Sequence, residues 1–358
     1  MRQLFRTSHA QDLQLFSDSR ERATYGLGLA LLIAAPWILP AFYTNELAYV
    51  FVLAIASVGL MILAGFAGLV SLGHGALMGI GAYAHVWLLD KGVPFLASIA
   101  ISAIVAAIIG ALASFPVRRL AGIYLAVATF AMAVIAIEVF ETWDSVTGGL
   151  AGKRVPAASI AGYEFGRGIP LYYLCLAFLL GALFVARNLT RSRSGRALFA
   201  VRDSETAASM LGISVGAAKA VAFGTSAAFT AVSGALLGHT LGYISPEAFE
   251  FVISLQLLLM IVVGGLGSLR GAVAGAVIVG YLPQAVAVFK SWLPYRIADA
   301  PALDAGLFGL ILTLVILYEP TGIVGRWEKI KLYFQTMPTY RADTFRRKRA
   351  YARTEHLR

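Results

Sequence analysis

Apolar residues run along this chain in long blocks separated by short polar or glycine-rich breaks, and a bilayer-spanning helix needs about 20 mainly apolar residues. Ten blocks approach that length: 24–44, 47–65, 72–89, 95–115, 122–142, 170–187, 220–242, 250–264, 271–289 and 303–319. The block at 250–264 is short and the one at 72–89 is rich in glycine, so both are expected to be incomplete or broken helices. The pattern predicts an all-α polytopic bundle of about ten transmembrane spans, some glycine-broken or half-spanning. Residues 1–23 read as a lead-in, 24–325 as the membrane domain and 326–358 as a tail.

Composition narrows the class further. Of 358 residues, 59% are hydrophobic and 13% charged, whereas a soluble domain carries about 25% charged residues. So much apolar surface excludes a free soluble enzyme, a nucleic-acid binder and a disordered chain. The lone cysteine, Cys175, rules out a disulfide framework or a cysteine-based metal site.

Basic residues orient the helices, because they concentrate in cytoplasmic loops. With the N-terminus inside, the inner pieces hold four in the lead-in (Arg2, Arg6, Arg20, Arg22), then Arg118 and Arg119, six from Arg187 to Lys219, Arg270, and ten from Arg326 onward. That is 23 of the 29 Lys and Arg, and the inside is +14 against −3 outside. The net charge of +10 therefore reflects lipid and orientation rather than nucleic acid. Both termini are expected in the cytoplasm.

Three irregular features interrupt the apolar pattern. The first is the stretch from Gly65 through Gly68, Ser71, Gly73, His74 and Gly75 to Gly79, Gly81 and Tyr83; the second is Gly264-Gly265-Leu266-Gly267-Ser268-Leu269-Arg270-Gly271, running on to Gly275 and Gly280. Each has a glycine break, a Ser-Leu pair and a Gly-Ala pair, which suggests a weak parallel repeat of two halves. Irregular backbone at membrane depth survives only where protein buries it or it lines a cavity. Matched breaks point to a translocation pathway, with Ser71, Gly73, His74, Gly75, Gly264, Gly265, Gly267 and Ser268 as its candidate lining. Close packing through Gly75-xxx-Gly79 and Gly271-xxx-Gly275 explains any single glycine equally well.

The third feature is the hydrophilic segment from Arg187 to Lys219. Ser194 could cap one short helix and Asp203 a second ending at Gly212. Apolar residues among charges suit an amphipathic element that docks on a partner, or one that rests on lipid headgroups.

Few polar residues offer chemistry. Glu138 lies in a span near Glu141 and Trp143, a headgroup-level position. His74 either ties its break together by a hydrogen bond or meets a solute, and His239 either caps a helix end or meets a partner. No metal-ligand or nucleophile–base spacing occurs. Gly148-Gly149-Leu150-Ala151-Gly152-Lys153 lacks the spacing of a phosphate-binding loop. Helix N-terminal amides could serve an anionic group and unwound carbonyls a cationic one.

Ser71-Leu72-Gly73-His74-Gly75-Ala76 followed by Gly79-Ile80-Gly81-Ala82-Tyr83 resembles the SLGHA/GIGAY stretch of LivM-type permeases, membrane subunits of branched-chain amino acid ABC importers. Thr147-Gly148-Gly149, Tyr243-Ile244-Ser245-Pro246, Gly264 to Leu269 and Leu317 to Gly325 agree with the same family. Thr206-Ala207-Ala208 and Gly212 resemble the E-A-A-x-x-x-G coupling motif of importer permeases, with Thr206 at the acidic place and Glu205 one residue earlier. The resemblance implies a permease subunit, not an enzyme, in a bacterial inner membrane. Its partners would be a second LivH-type permease, two ATP-binding cassette subunits that use ATP and Mg, and a periplasmic binding protein. The chain itself would hold no cofactor and no metal. Segment 194–212 would couple to the ATPases through Arg196, Leu198, Arg202, Glu205, Ala207, Ala208, Leu211 and Gly212. The outer loop 143–169 would meet the binding protein through Asp144, Thr147, Gly148, Gly149 and Lys153. Branched-chain amino acids are the leading solutes, with urea, amides or aromatic acids as alternatives. A self-sufficient channel or secondary transporter would carry more intramembrane charge than Glu138 alone, and a membrane-embedded enzyme would need a catalytic constellation.

Overall fold

The computed structural model describes residues 19–117, 120, 122–160, 162–291 and 322–336, with isolated positions between 303 and 317. The lead-in before Ser19, Arg118 and Arg119, most of the 303–319 block, residues 318–321 of the last family motif and the tail beyond Thr336 lie outside the described residues.

Helices dominate. In chain order they are α1 (Ser19–Ile38), α2 (Ala41–Leu60) with a π-helical extension Met61–Phe66, α3 (His74–Asp90), α4 (Phe95–Val117), α5 (Ile123–Thr142), the single turn α6 (Asp144–Thr147), α7 (Ile169–Arg191), α8 (Arg193–Asp203), α9 (Glu205–Met210), α10 (Val215–Leu241), α11 (Phe251–Gly264), α12 (Leu269–Ser291) and α13 (Gly322–Thr336). Four short strands, β1 (Lys153–Arg154), β2 (Ala158–Ile160), β3 (Tyr163–Phe165) and β4 (Tyr243–Ile244), cap one end of the bundle.

Among the described residues seven helices are long and apolar enough to cross a membrane, rather than about ten. The 24–44 block divides at Leu39-Pro40, and its apolar helical part, Ala23–Ile38, is too short. A helix rises about 1.5 Å per residue, so 16 residues fall short of a hydrocarbon core about 30 Å thick. α3 has 17 residues because its first turn begins only at His74, after the glycine break. The block at 250–264 proves longer than expected: the 3-10 turn Pro246–Phe249 extends it to a 19-residue apolar stretch ending at Gly264.

α2 and α10 form the centre of the bundle. α2 is apolar all round and mostly buried, as a helix surrounded by others must be. α10 is rich in Ala, Gly, Ser and Thr, and it packs along α4, α3 and α2. Small residues allow that close approach: a methyl group on Gly59 of α2 would lie 2.9 Å from the Ser226 carbonyl oxygen of α10. The remaining large packings join α11 to α12, α7 to α2, α12 to α2 and α3 to α4. α4 and α5 leave Ile104, Ile108, Leu112, Val127, Val134 and Ile135 exposed.

At the capped end β1 pairs antiparallel with β4 (Lys153 opposite Ile244, Arg154 opposite Tyr243), and β2 with β3. This pairing joins the 143–169 loop to the Tyr243-Ile244-Ser245-Pro246 motif about ninety residues later, a contact that no local pattern in the chain predicts.

Candidate functional site

The first glycine break is a hydrogen-bonded knot between four helices. The π-helical turn ends at Phe66, and Leu69 N–H returns to the Leu63 carbonyl at 3.1 Å. Helix α3 then starts at His74, whose ring is fully buried. His74 Nδ1 lies 3.1 Å from Ser71 Oγ, and Nε2 lies 2.7 Å from Ser226 Oγ of α10. Leu72 N–H donates to Thr129 Oγ1 of α5 at 3.0 Å, and Gly75 N–H donates to Ser254 Oγ of α11 at 2.7 Å. Both ring nitrogens of His74 thus have partners within the chain. The glycines let the tie close: a methyl group on Gly73 would sit 2.8 Å from the Thr129 carbonyl oxygen, and one on Gly75 2.6 Å from that of Phe249.

The second break touches the first. A methyl group on Gly65 would lie 3.1 Å from the Gly267 nitrogen, and Gly267 N–H reaches Met61 Sδ at 3.2 Å. Gly265 and Gly267 have φ values of 115° and 89°, in the left-handed region that glycine tolerates. Ser268 Oγ accepts from Gly271 N–H at 3.3 Å and starts α12. Gly264 and Gly275 serve packing: a methyl group on Gly275 would lie 3.0 Å from the Gly264 nitrogen. All eight candidate lining residues therefore fall in two contiguous, mutually contacting breaks, with Ser71, Gly73, His74, Gly75, Gly264 and Gly265 buried. The amides expected to await an anionic group are engaged by Thr129, Ser71, Ser254, Met61 and Ser268 in this conformation.

The α8–α9 segment sits beside the breaks. Its caps differ from expectation: Ser192 caps α8, accepting from Gly195 N–H at 3.1 Å, and Ser204 caps α9, accepting from Ala207 N–H at 3.2 Å. Ser194 and Asp203 lie inside α8, because each cap needs an extended backbone, which Ser192 and Ser204 supply. Gly212 ends α9 with φ 81°, as its place after the helix predicts.

Only part of the expected coupling set is available to a partner. Leu198 and Ala208 are buried in the chain itself. Glu205 pairs at 2.8 Å with the buried Lys219 of α10, and Arg202 donates to the Gly65 carbonyl. Arg196, Arg202, Glu205, Ala207, Leu211 and Gly212 remain exposed. The apolar tip is Met210 and Leu211, 83% and 79% exposed. Met210 was legible only as part of the helix, since a short amphipathic element does not reveal which side its own domain covers.

At the strand-capped end, Thr147-Gly148-Gly149 is a locking turn. Thr147 is buried and its hydroxyl contacts the Phe140 and Trp143 carbonyls at 2.7 and 2.8 Å, while Gly148 and Gly149 take φ values of 77° and 61°. Lys153 pairs with Asp90 at 2.7 Å, and Asp144 is exposed. His239 meets His85 Nε2 to Nε2 at 2.9 Å, and Ser98 Oγ lies 2.8 Å from His85 Nδ1. His239 also borders a cavity of about 660 Å³ with Arg154 and Arg167 on its wall. Among the described residues no group of three or more His, Cys, Asp and Glu could hold a metal.

Sequence reasoning missed the partners on other helices: Thr129, Ser226, Ser254 and His85. A signal existed for α10, where Ser226, Thr230 and Ser233 recur at helical spacing and mark a polar stripe turned to the core.

The family described as branched-chain amino acid transport system, permease component, matches residues 42–316. The chain is similar to LivM, the high-affinity branched-chain amino acid transport system permease protein of Escherichia coli strain K12, at 29% identity over 321 residues, which cover 83% of this chain and 73% of LivM. LivH of the same organism is 27% identical over 300 residues, covering 78% of this chain and 93% of LivH. BraD of Pseudomonas aeruginosa is 28% identical over 301 residues, with the same coverage of 78% and 93%. No solved structure matches.

Proposed function

This chain belongs to the family of permease components of the branched-chain amino acid transport system, and on that premise we propose that it forms half of the translocation pathway of an ATP-driven importer for branched-chain amino acids. The chain is a multi-pass membrane protein and a transport component rather than a catalyst. The observation that carries the pathway reading is the meeting of the two glycine breaks, far apart in sequence, at one place beside α8.

The second half of the pathway comes from a LivH-type permease, since similarity extends to both LivM and LivH. The α8–α9 end, which carries the basic segment, faces the cytoplasm, and the strand-capped end faces the periplasm of a bacterial inner membrane. One of two ATPase subunits takes the Met210–Leu211 tip into a groove, and a periplasmic binding protein delivers the solute at the capped end near Asp144. ATP binding shifts the tip and reorients the helices around the breaks, opening them alternately to the two sides. Backbone amides freed from Ser and Met partners then meet the carboxylate, unwound carbonyls meet the ammonium, and apolar walls take the aliphatic side chain.

Reconstitution tests the reading. Proteoliposomes holding both permeases, the ATPases and the binding protein should accumulate leucine, isoleucine and valine only with ATP inside the ATPase compartment. Uptake by this chain alone would establish a self-sufficient transporter instead. Leu211→Glu should leave the permease in the membrane, because the side chain is outside the fold, yet reduce co-purified ATPase more than about tenfold, since a lost apolar contact alone is worth about 1.5–3 kcal/mol and a buried charge adds to it. Unchanged co-purification would place the tip on lipid. Orientation follows from cysteine labelling: Tyr163→Cys should react with an impermeant maleimide in intact spheroplasts and Leu211→Cys only after permeabilisation. The opposite pattern inverts the topology.

A further inference from the structure

We propose that Arg202 is the positioning residue through which movement of the α8–α9 segment reaches both glycine breaks, so that it governs how much solute moves per ATP hydrolysed; this rests on the importer reading above.

Arg202 stands in the last turn of α8. Its Nη1 donates to the Gly65 carbonyl at 2.5 Å, at the end of the π-helical turn. Terminal helical carbonyls lack partners within their own helix and carry partial negative charge, so a guanidinium is well suited to hold one. The same side chain covers the rest of the first break and part of the second. A methyl group on Gly68 would lie 3.2 Å from Arg202 Cγ, and one on Gly267 would lie 3.1 Å from Arg202 Nη1. One cation therefore abuts Gly65, Gly68 and Gly267 at the place where the two breaks meet.

The neighbouring contacts make α8–α9 a lever rather than a loose loop. The Phe199 ring packs on Phe66 with centroids 5.1 Å apart, and Glu205 is tied to Lys219 at 2.8 Å. The exposed tip at Met210 and Leu211 is joined to Arg202 through the capped turn at Ser204. A push on the tip is relayed to α8 and displaces the guanidinium. The planar fork has five donors in fixed directions, so it can grip carbonyls of both breaks as they shift. A lysine ammonium keeps the charge and loses that geometry. Glycine at 68 leaves room for the stem of Arg202, and glycine at 267 for its fork. An outward-facing contact with an ATPase, the role expected from the sequence alone, would not require the bond to Gly65 or the close approach to Gly68 and Gly267, which Arg202 makes although it stays exposed.

The test uses the complete complex in proteoliposomes, with radiolabelled leucine as probe, and compares wild type with Arg202→Gln and Arg202→Lys. Leucine uptake, ATP hydrolysis stimulated by leucine-loaded binding protein and co-purified ATPase are measured on the same preparations. Both variants should retain the ATPases and keep hydrolysis within about twofold, while ATP consumed per leucine rises about tenfold, within the usual range of coupling between sites. A purely structural role would lower uptake and hydrolysis together and leave that ratio unchanged, which overturns the proposal. Loss of the ATPases on purification also overturns it, since Arg202 would then be a docking contact. If Arg202→Gln lowers the amount of complex in the membrane, Arg202→Lys decides, because it keeps the cation at the helix end. A wild-type complex that takes up no leucine overturns the importer reading itself, and this role with it. Working wild type with unchanged ratios in the variants counts against Arg202 alone.

Discussion

Gly275→Val is expected to remove the protein from the membrane fraction, whereas Gly267→Val should leave it inserted and abolish transport. The two glycines look alike in sequence, but their surroundings differ. Gly275 lies at the crossing of α11 and α12, where an added methyl group would lie 3.0 Å from the Gly264 nitrogen and press on the Met260 carbonyl. Those neighbours are backbone, so neither can swing aside, and separating the helices sacrifices the packing that drives their association in lipid. Overpacking of this kind costs about 1–3 kcal/mol and more where backbone must move. Gly267 instead has open space apart from Arg202 and takes φ 89°. An L-residue there is strained by about 1–2 kcal/mol, more when β-branched. That strain falls on the break and on the seat of Arg202, not on a helix crossing. Quantifying membrane-resident chain beside leucine uptake separates the two. Full transport by an inserted Gly267→Val variant would reduce the second break to packing.

His74→Ala should lower thermal stability and transport together. The substitution opens a buried cavity and leaves Ser71 and Ser226 without the ring that bridges them at 3.1 and 2.7 Å. Lost hydrogen bonds in a buried site cost about 1–3 kcal/mol each when a group is left unsatisfied, and a cavity adds to that. His74→Gln, which can place an amide near both hydroxyls, should recover part of the stability. Melting of the detergent-solubilised complex, measured with uptake, distinguishes the roles. Lost uptake with an unchanged melting temperature would make His74 a solute contact.

The membrane class and most helices were legible in the chain because the bilayer imposes a length and a polarity that single segments must meet alone. Nine of the ten apolar blocks contain described helices, and the glycine breaks stand where the apolar pattern lapses. Family motifs carried the function, since no chemistry-bearing constellation does. Span count was less legible: a proline at 40 and a late helix start at His74 shorten two blocks in ways that hydropathy averages over.

Tertiary structure alone decided what touches what. Thr129, Ser226 and Ser254 come from three helices to tie one break, and Gly65 and Gly267, two hundred residues apart, share a contact. It also decided which face of the coupling segment is free. Leu198 and Ala208 are buried, Arg202 and Glu205 bond back to the domain while staying exposed, and Met210 and Leu211 stay outside. A sequence specifies local conformation through backbone preference and solvent, which act residue by residue. Long-range partners are selected by the joint packing of all helices, where small residues permit an approach without naming the surface approached.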